Sequence, residues 1–172
     1  IILQAGVGSM AGGVLGAFCN YYGADALTSL IVEPQQADCI YRSGMSGEIV
    51  NVNDDLNTIM AGLACGEPCT IGWEILRNNA SGFMSCNDSL AASGMRILAN
   101  PSGDDSKVIS GESGAIGVGV LYALATNPQA KKLMTEFGFN KDSVVFILST
   151  EGNTDPINYQ NIVWEGAYQL TK

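Results

Sequence analysis

The chain contains no histidine. That removes the commonest general base, the Ser-His and Cys-His nucleophile pairs and the usual zinc ligand. Basic residues are scarce: eight Lys plus Arg against seventeen Asp plus Glu give a net charge of −9. Such a surface repels phosphate backbones, so nucleic acid is excluded as a partner. Charged residues make up only 15% of the 172 residues and hydrophobic ones 47%, the balance of a globular chain with a real core. Long apolar runs are missing as well. The longest, around Ala115–Ala125, is too short and too glycine-rich to cross a bilayer. The cysteines at 19, 39, 65, 69 and 86 are odd in number and do not form a secreted disulfide pattern. Cys65-Gly-Glu-Pro-Cys69 has loose metal-ligand spacing but no histidine or second pair to complete a site, so no metal is expected and the thiols read as buried and reduced. Whether Cys39 and Cys65 meet is left open. An initiator methionine is absent too: the chain starts at Ile1 in a buried-strand pattern, which predicts that it is a fragment whose upstream part has been removed.

What is present is concentrated in three glycine-bounded turns. In IILQAGVGSMAGG, an apolar strand end runs into Gly6-Val7-Gly8-Ser9-Met10 and then a small-residue helix over Ser9–Tyr22, closed by Gly23. Free N–H groups at a helix start, with the positive end of its dipole behind them, cradle an anion, most often a phosphate. Gly6, Gly8 and Ala11 equally match the dinucleotide fingerprint G-x-G-x-x-A, with Glu33 placed as a ribose-binding acid. Both ligand readings stay open at this point. The second turn is Ser110-Gly111-Glu112-Ser113-Gly114-Ala115, opening a glycine-rich helix over Ser113–Thr126. The third, Leu148 to Asp155, follows a buried strand predicted over Val144–Ser149.

Ile1–Leu3 and Ser29–Val32 flank the first helix, a βαβ unit and therefore parallel pairing. Residues 37–58 read as loop-rich, Leu56–Cys65 as a short helix or an ordered loop, and Trp73–Asn79 as helix. Asn87–Ala99 is an amphipathic helix, Lys131–Phe137 a short one capped by Gly138, and Pro156 starts a last helix through about Tyr168. Phe18, Trp73, Phe83, Met84, Met95 and Trp164 are assigned to core or interface. The predicted fold is a single α/β domain over residues 1–172, a three-layer αβα sandwich with a mostly parallel sheet. All strand C-termini of such a sheet face one side, so the three turns are expected to share one crevice.

The turns, in this order, resemble those of pyridoxal-phosphate enzymes of the tryptophan-synthase-β fold type. There the glycine loop binds the cofactor phosphate, Glu-Pro ends the next strand as Glu33-Pro34 does, and a Glu-x-Ser/Ala-Gly-Ala turn resembles Glu112-Ser113-Gly114-Ala115. A Leu-Ser like Leu148-Ser149 offers its hydroxyl to the pyridine nitrogen. Within that group, TIMAGLACGEP (58–68), GWEILRN (72–78), GESGA (111–115), STEGNTDPINY (149–159) and VWEG (163–166) resemble the diaminopropionate ammonia-lyase family. The resemblance covers the whole chain.

It implies a cytoplasmic, homodimeric lyase of amino-acid catabolism that converts 2,3-diaminopropionate to pyruvate and ammonia by α,β-elimination. It also implies Gly6, Val7, Gly8, Ser9 and Met10 at the cofactor phosphate, Glu112 beside the ring, and Ser149 at the pyridine nitrogen with Thr150 as second candidate. The family's cofactor-binding lysine lies upstream of the phosphate loop, and none of Lys107, Lys131, Lys132, Lys141 or Lys172 stands in its position. The expectation is the C-terminal part of the large, cofactor-binding domain, with no catalytic residue of its own and no activity in isolation. The alternative is a nicotinamide-dependent oxidoreductase fragment using Gly6, Gly8 and Glu33.

Overall fold

The computed structural model describes residues 1–170, so Lys172 lies outside the described residues. Three parallel strands form the sheet in the order β1 (Ile2–Gln4), β2 (Leu30–Pro34), β3 (Gly82–Cys86), with Ile2 opposite Leu30 and Leu30 opposite Gly82. Side chains alternate between its faces. Leu3 and Ile31 point to one layer with Ala11 and Leu15 of α1 (Ser9–Tyr22), Ile40 of α2 (Cys39–Ser46), and Trp73 and Leu76 of α3 (Thr70–Asn79). Ile2, Leu30 and Val32 point to the other. They pack with Ala91 of α4 (Asp88–Ala99) and with Ile116, Val120 and Leu124 of α5 (Glu112–Thr126), flanked by Leu133 and Met134 of α6 (Lys131–Glu136). A third cluster joins α4 and α5 to Tyr159 and Ile162 of α7 (Pro156–Val163). The predicted three-layer α/β sandwich with parallel pairing is therefore present.

Several expectations need correction. Val144–Ser149 is not a buried strand. It makes one parallel bridge, Ile147 to Ile2, and one bond from Ile2 N–H to the Phe146 carbonyl at 3.0 Å, while Val144 is 97% exposed. The segment lies along the sheet edge beside β1, and only Val145 and Ile147 reach the α5-side core. The stretch 37–58 is not all loop, because Cys39–Ser46 is helical. Its cap is not local: the Glu33 carboxylate accepts from the N–H groups of Ile40 at 3.0 Å and Tyr41 at 2.6 Å. Asp38 stands at the N-cap, but its carboxylate is engaged by Arg42 and Ser85, so the free amides take the carboxylate from the end of β2 instead.

β3 lacks the apolar alternation that would announce it, and its pairing along β2 makes it a strand. Between 56 and 65 only Ala61–Leu63 forms a helical turn. The last helix stops at Val163, where the Arg96 guanidinium takes the carbonyls of Ile162 and Ala167 at 3.2 and 2.8 Å. Trp164 just beyond is 74% exposed and is not core. The thiols are all free, but only Cys39 and Cys86 are buried; Cys19, Cys65 and Cys69 are half-buried.

Candidate functional site

β1 delivers its chain directly into the first turn. Gly8 takes φ +86°, the left-handed region that glycine enters without strain, and α1 begins at the next residue. No side chain caps α1, and its first turn holds no acid, so its leading N–H groups remain available to an anion. The turn is held from outside. The Cys69 N–H donates to the Val7 carbonyl at 2.8 Å, and α3 packs so closely that a Cβ at Gly72 would lie 2.7 Å from the Gly8 carbonyl oxygen. The Ser9 hydroxyl and the Gly72 N–H hold the neighbouring Cys69 thiol below its ordinary range.

The other two turns reach the same end of β1. The Gly111 N–H donates to the Glu151 carbonyl and the Ser113 N–H to the Glu151 carboxylate, both at 2.9 Å, which ties the start of α5 to the segment after Leu148. Gln4, the last residue of β1, reaches across with its amide to the Leu148 carbonyl at 2.9 Å and Thr150 Oγ1 at 2.8 Å. A cleft of about 450 Å³ opens between these pieces, lined by Gln4 to Ala11, Gly62, Leu63, Cys65, Ser113, Thr150 and Glu151.

Of the residues singled out in the sequence, Gly6, Val7, Gly8, Ser9, Met10 and Thr150 line this cleft. Ser149 adjoins it but turns its hydroxyl to Ser110 Oγ at 2.9 Å. Glu112 starts α5 at the same end, yet its carboxylate points to the Asn158 amide of α7 rather than into the cleft. Burial pushes its carboxyl above the ordinary range, with the charges of Glu151 and Asp155 adding to the effect.

The sequence reading missed Gln4, Ser113, Cys65 and Glu151. A polar side chain closing an otherwise apolar strand was the available signal for Gln4. Nothing local distinguishes Cys65, which comes from a loop. Two polar atoms of the lining are buried without a protein partner, Gln4 Oε1 and Ser113 Oγ. Buried polar atoms are ordinarily satisfied, so these two point to a ligand or solvent in the cleft. Among the described residues, no lysine lines it.

Glu33, the acid of the nicotinamide alternative, does not reach the cleft. It is 1% exposed, with both oxygens bound to the start of α2, and burial pushes its carboxyl up to about 8. A carboxylate so enclosed cannot hold a ribose, and that alternative is withdrawn.

The family described as pyridoxal-phosphate dependent enzyme matches residues 1–150. The diaminopropionate ammonia-lyase of Escherichia coli (strain K12) is 60% identical over 170 residues, which are 99% of this chain and 43% of that protein. That of Salmonella typhimurium is 49% identical over 169 residues, 96% of this chain and 42% of that protein. A crystal structure of the Escherichia coli enzyme, in complex with an aminoacrylate-PLP azomethine reaction intermediate, superposes with a TM-score of 0.93 at 57% identity over 99% of this chain and 43% of that one. Maize serine racemase, 22% identical, shares the fold with a TM-score of 0.73 over 94% of this chain and 45% of that one. The chain thus spans less than half the length of these relatives.

Proposed function

The chain belongs to the pyridoxal-phosphate-dependent enzyme family, and from that premise we propose that it forms the C-terminal part of the cofactor-binding domain of a diaminopropionate ammonia-lyase. The full-length protein would catalyse α,β-elimination of 2,3-diaminopropionate to pyruvate and ammonia, as a homodimer in the cytoplasm. The observation that carries this reading is the convergence of three turns on one cleft, with an uncapped helix start at one side and unpartnered buried polar atoms within it.

The cleft's own chemistry fits pyridoxal phosphate. Gly6 to Met10 would hold the phosphate through backbone N–H groups, which suits a protein short of cationic side chains. The turn at Ser149 and Thr150 would meet the ring nitrogen with a hydroxyl. Glu112, bonded to Asn158, would tie the start of α5 to α7 beside the cleft. Gly62, Leu63 and Cys65 line the cleft on its loop side. When bound, the cofactor supplies an electron sink for the substrate's α-carbon. A neutral hydroxyl opposite the ring nitrogen disfavours its protonation, which suits an elimination more than reactions needing a long-lived carbanion.

The test is a titration of the full-length protein with pyridoxal phosphate, together with an assay for pyruvate from 2,3-diaminopropionate. Gly8→Val forces a branched residue into φ +86° and sets its Cβ 2.8 Å from Ile40 Cδ1. It should weaken cofactor binding at least about tenfold, the scale of losing charge-assisted hydrogen bonds. Undiminished binding would remove the phosphate site, and a loaded wild-type enzyme inert toward 2,3-diaminopropionate would remove the substrate.

A further inference from the structure

Gln4 is 1% exposed and ends a strand whose other residues, Ile2 and Leu3, are apolar. Its amide orientation is fixed. The Leu148 carbonyl can only accept, so the group facing it at 2.9 Å must be the NH2, and that same group donates to Thr150 Oγ1 at 2.8 Å. The Thr150 oxygen therefore already accepts a bond, and its own proton has no acceptor among the described residues. Thr150 lines the cleft.

Ser149 is in the opposite situation. Its hydroxyl donates to Ser110 Oγ at 2.9 Å, and Ser110 passes its own proton to the Gly111 carbonyl at 3.2 Å. That chain ends on a carbonyl, which fixes its direction and commits the Ser149 proton away from the cleft. The two adjacent hydroxyls are thus sorted by their partners, one spent inside the protein and one left as a free donor.

We propose that Gln4 is a positioning residue that turns the Thr150 hydroxyl proton into the cleft, so that Thr150, and not Ser149, donates to the ring nitrogen of bound pyridoxal phosphate. This rests on the cofactor reading above and sharpens it. A hydroxyl that must donate requires an acceptor opposite it, and a ring nitrogen accepts only while unprotonated. Gln4 thereby sets the charge state of the ring through Thr150. A carboxylate at position 4 would do the reverse, taking the Thr150 proton for itself.

The experiment uses the full-length protein and measures pyridoxal phosphate affinity by absorbance titration, and the pH dependence of the bound cofactor's absorption. Thr150→Val and Gln4→Met should each weaken affinity about fivefold, the worth of one hydrogen bond. The double variant should lose no more than either alone, because both changes act on one bond. Thr150→Ser should retain wild-type affinity, and Ser149→Ala should stay within about twofold. Thr150→Val and Gln4→Met should also shift the pH midpoint of the bound cofactor's absorption, which packing damage alone would not do.

Greater sensitivity at Ser149 than at Thr150, additive losses in the double variant, or an unchanged absorption profile in Thr150→Val would each overturn the proposal. Should Gln4→Met fail to fold, Gln4→Glu takes its place: its carboxylate draws the Thr150 proton away from the cleft and should lower affinity at least as far, and retained affinity in it would overturn the proposal. A wild-type protein that binds no pyridoxal phosphate refutes the family reading and this inference together. Normal binding that depends on Ser149 refutes this inference alone.

Discussion

Glu33 shows how far one side chain can be taken from its solution behaviour. Burial drives its carboxyl up to about 8, outweighing the two N–H donors of Ile40 and Tyr41, and the nearby Asp38 charge acts in the same direction. Cys39 beside it is pushed up to about 12, by burial first and the Glu33 charge second, so its thiol stays protonated and inert at neutral pH. A carboxyl that holds its proton more tightly folded than unfolded contributes stability in full below the ordinary carboxylate range. That contribution drains away as pH rises toward about 8. The urea midpoint should therefore fall between pH 5 and 8, and Glu33→Gln should flatten that part of the profile. A wild-type midpoint that climbs across the interval would contradict the assignment. The residue was visible in the sequence as the end of a strand. Its role was not, because Ile40 and Tyr41 come to it only through the fold.

Among the elements, α4 and α5 meet backbone to backbone. A Cβ at Gly119 would lie 1.8 Å from the Leu90 carbonyl oxygen, and one at Gly94 would lie 2.1 Å from that of Ala115. Gly119→Ala must push the helices apart and should cost about 3 kcal/mol, at the upper end for overpacking, measured by chemical denaturation. Gly13 of α1 has nothing within 4 Å of its would-be Cβ, so Gly13→Ala should stabilise by about 0.5–1 kcal/mol. A small effect at Gly119 would show that the helix pair is not close-packed. In the sequence both glycines read alike, as small residues in a helix. α1 was legible over its whole span, because it carries its own breaker in Gly23. α2 and β3 were not, since a carboxylate outside the helix, in β2, caps the one and a neighbouring strand makes the other.

At the scale of the whole molecule, the cleft brings together a helix start, two turns and a loop, but no lysine among the described residues lines it. The 172-residue chain by itself should therefore release no pyruvate from 2,3-diaminopropionate, even with pyridoxal phosphate added, while the proposed function requires that the full-length protein should. Turnover at a comparable rate by the isolated chain would place the lysine here and overturn the residue roles. Exposed apolar side chains, among them Val144, Ile157 and Trp164, should also make the isolated chain self-associate, visible by sedimentation.

The sequence alone determined the parallel α/β architecture, the glycine turn before α1 and the family, because each is written in contiguous residues: a strand, its turn, its helix, or a run of motif. Tertiary structure decided which side chains face the cleft. Gln4, Ser113, Cys65 and Glu151 enter it from separate elements, while Glu112 and Glu33 are turned elsewhere. It also separated Ser149 from Thr150, neighbours with the same functional group. The direction of a hydroxyl proton depends on which donors and acceptors surround it, and here the donor Gln4 and the acceptor Ser110 lie 146 and 39 residues away along the chain.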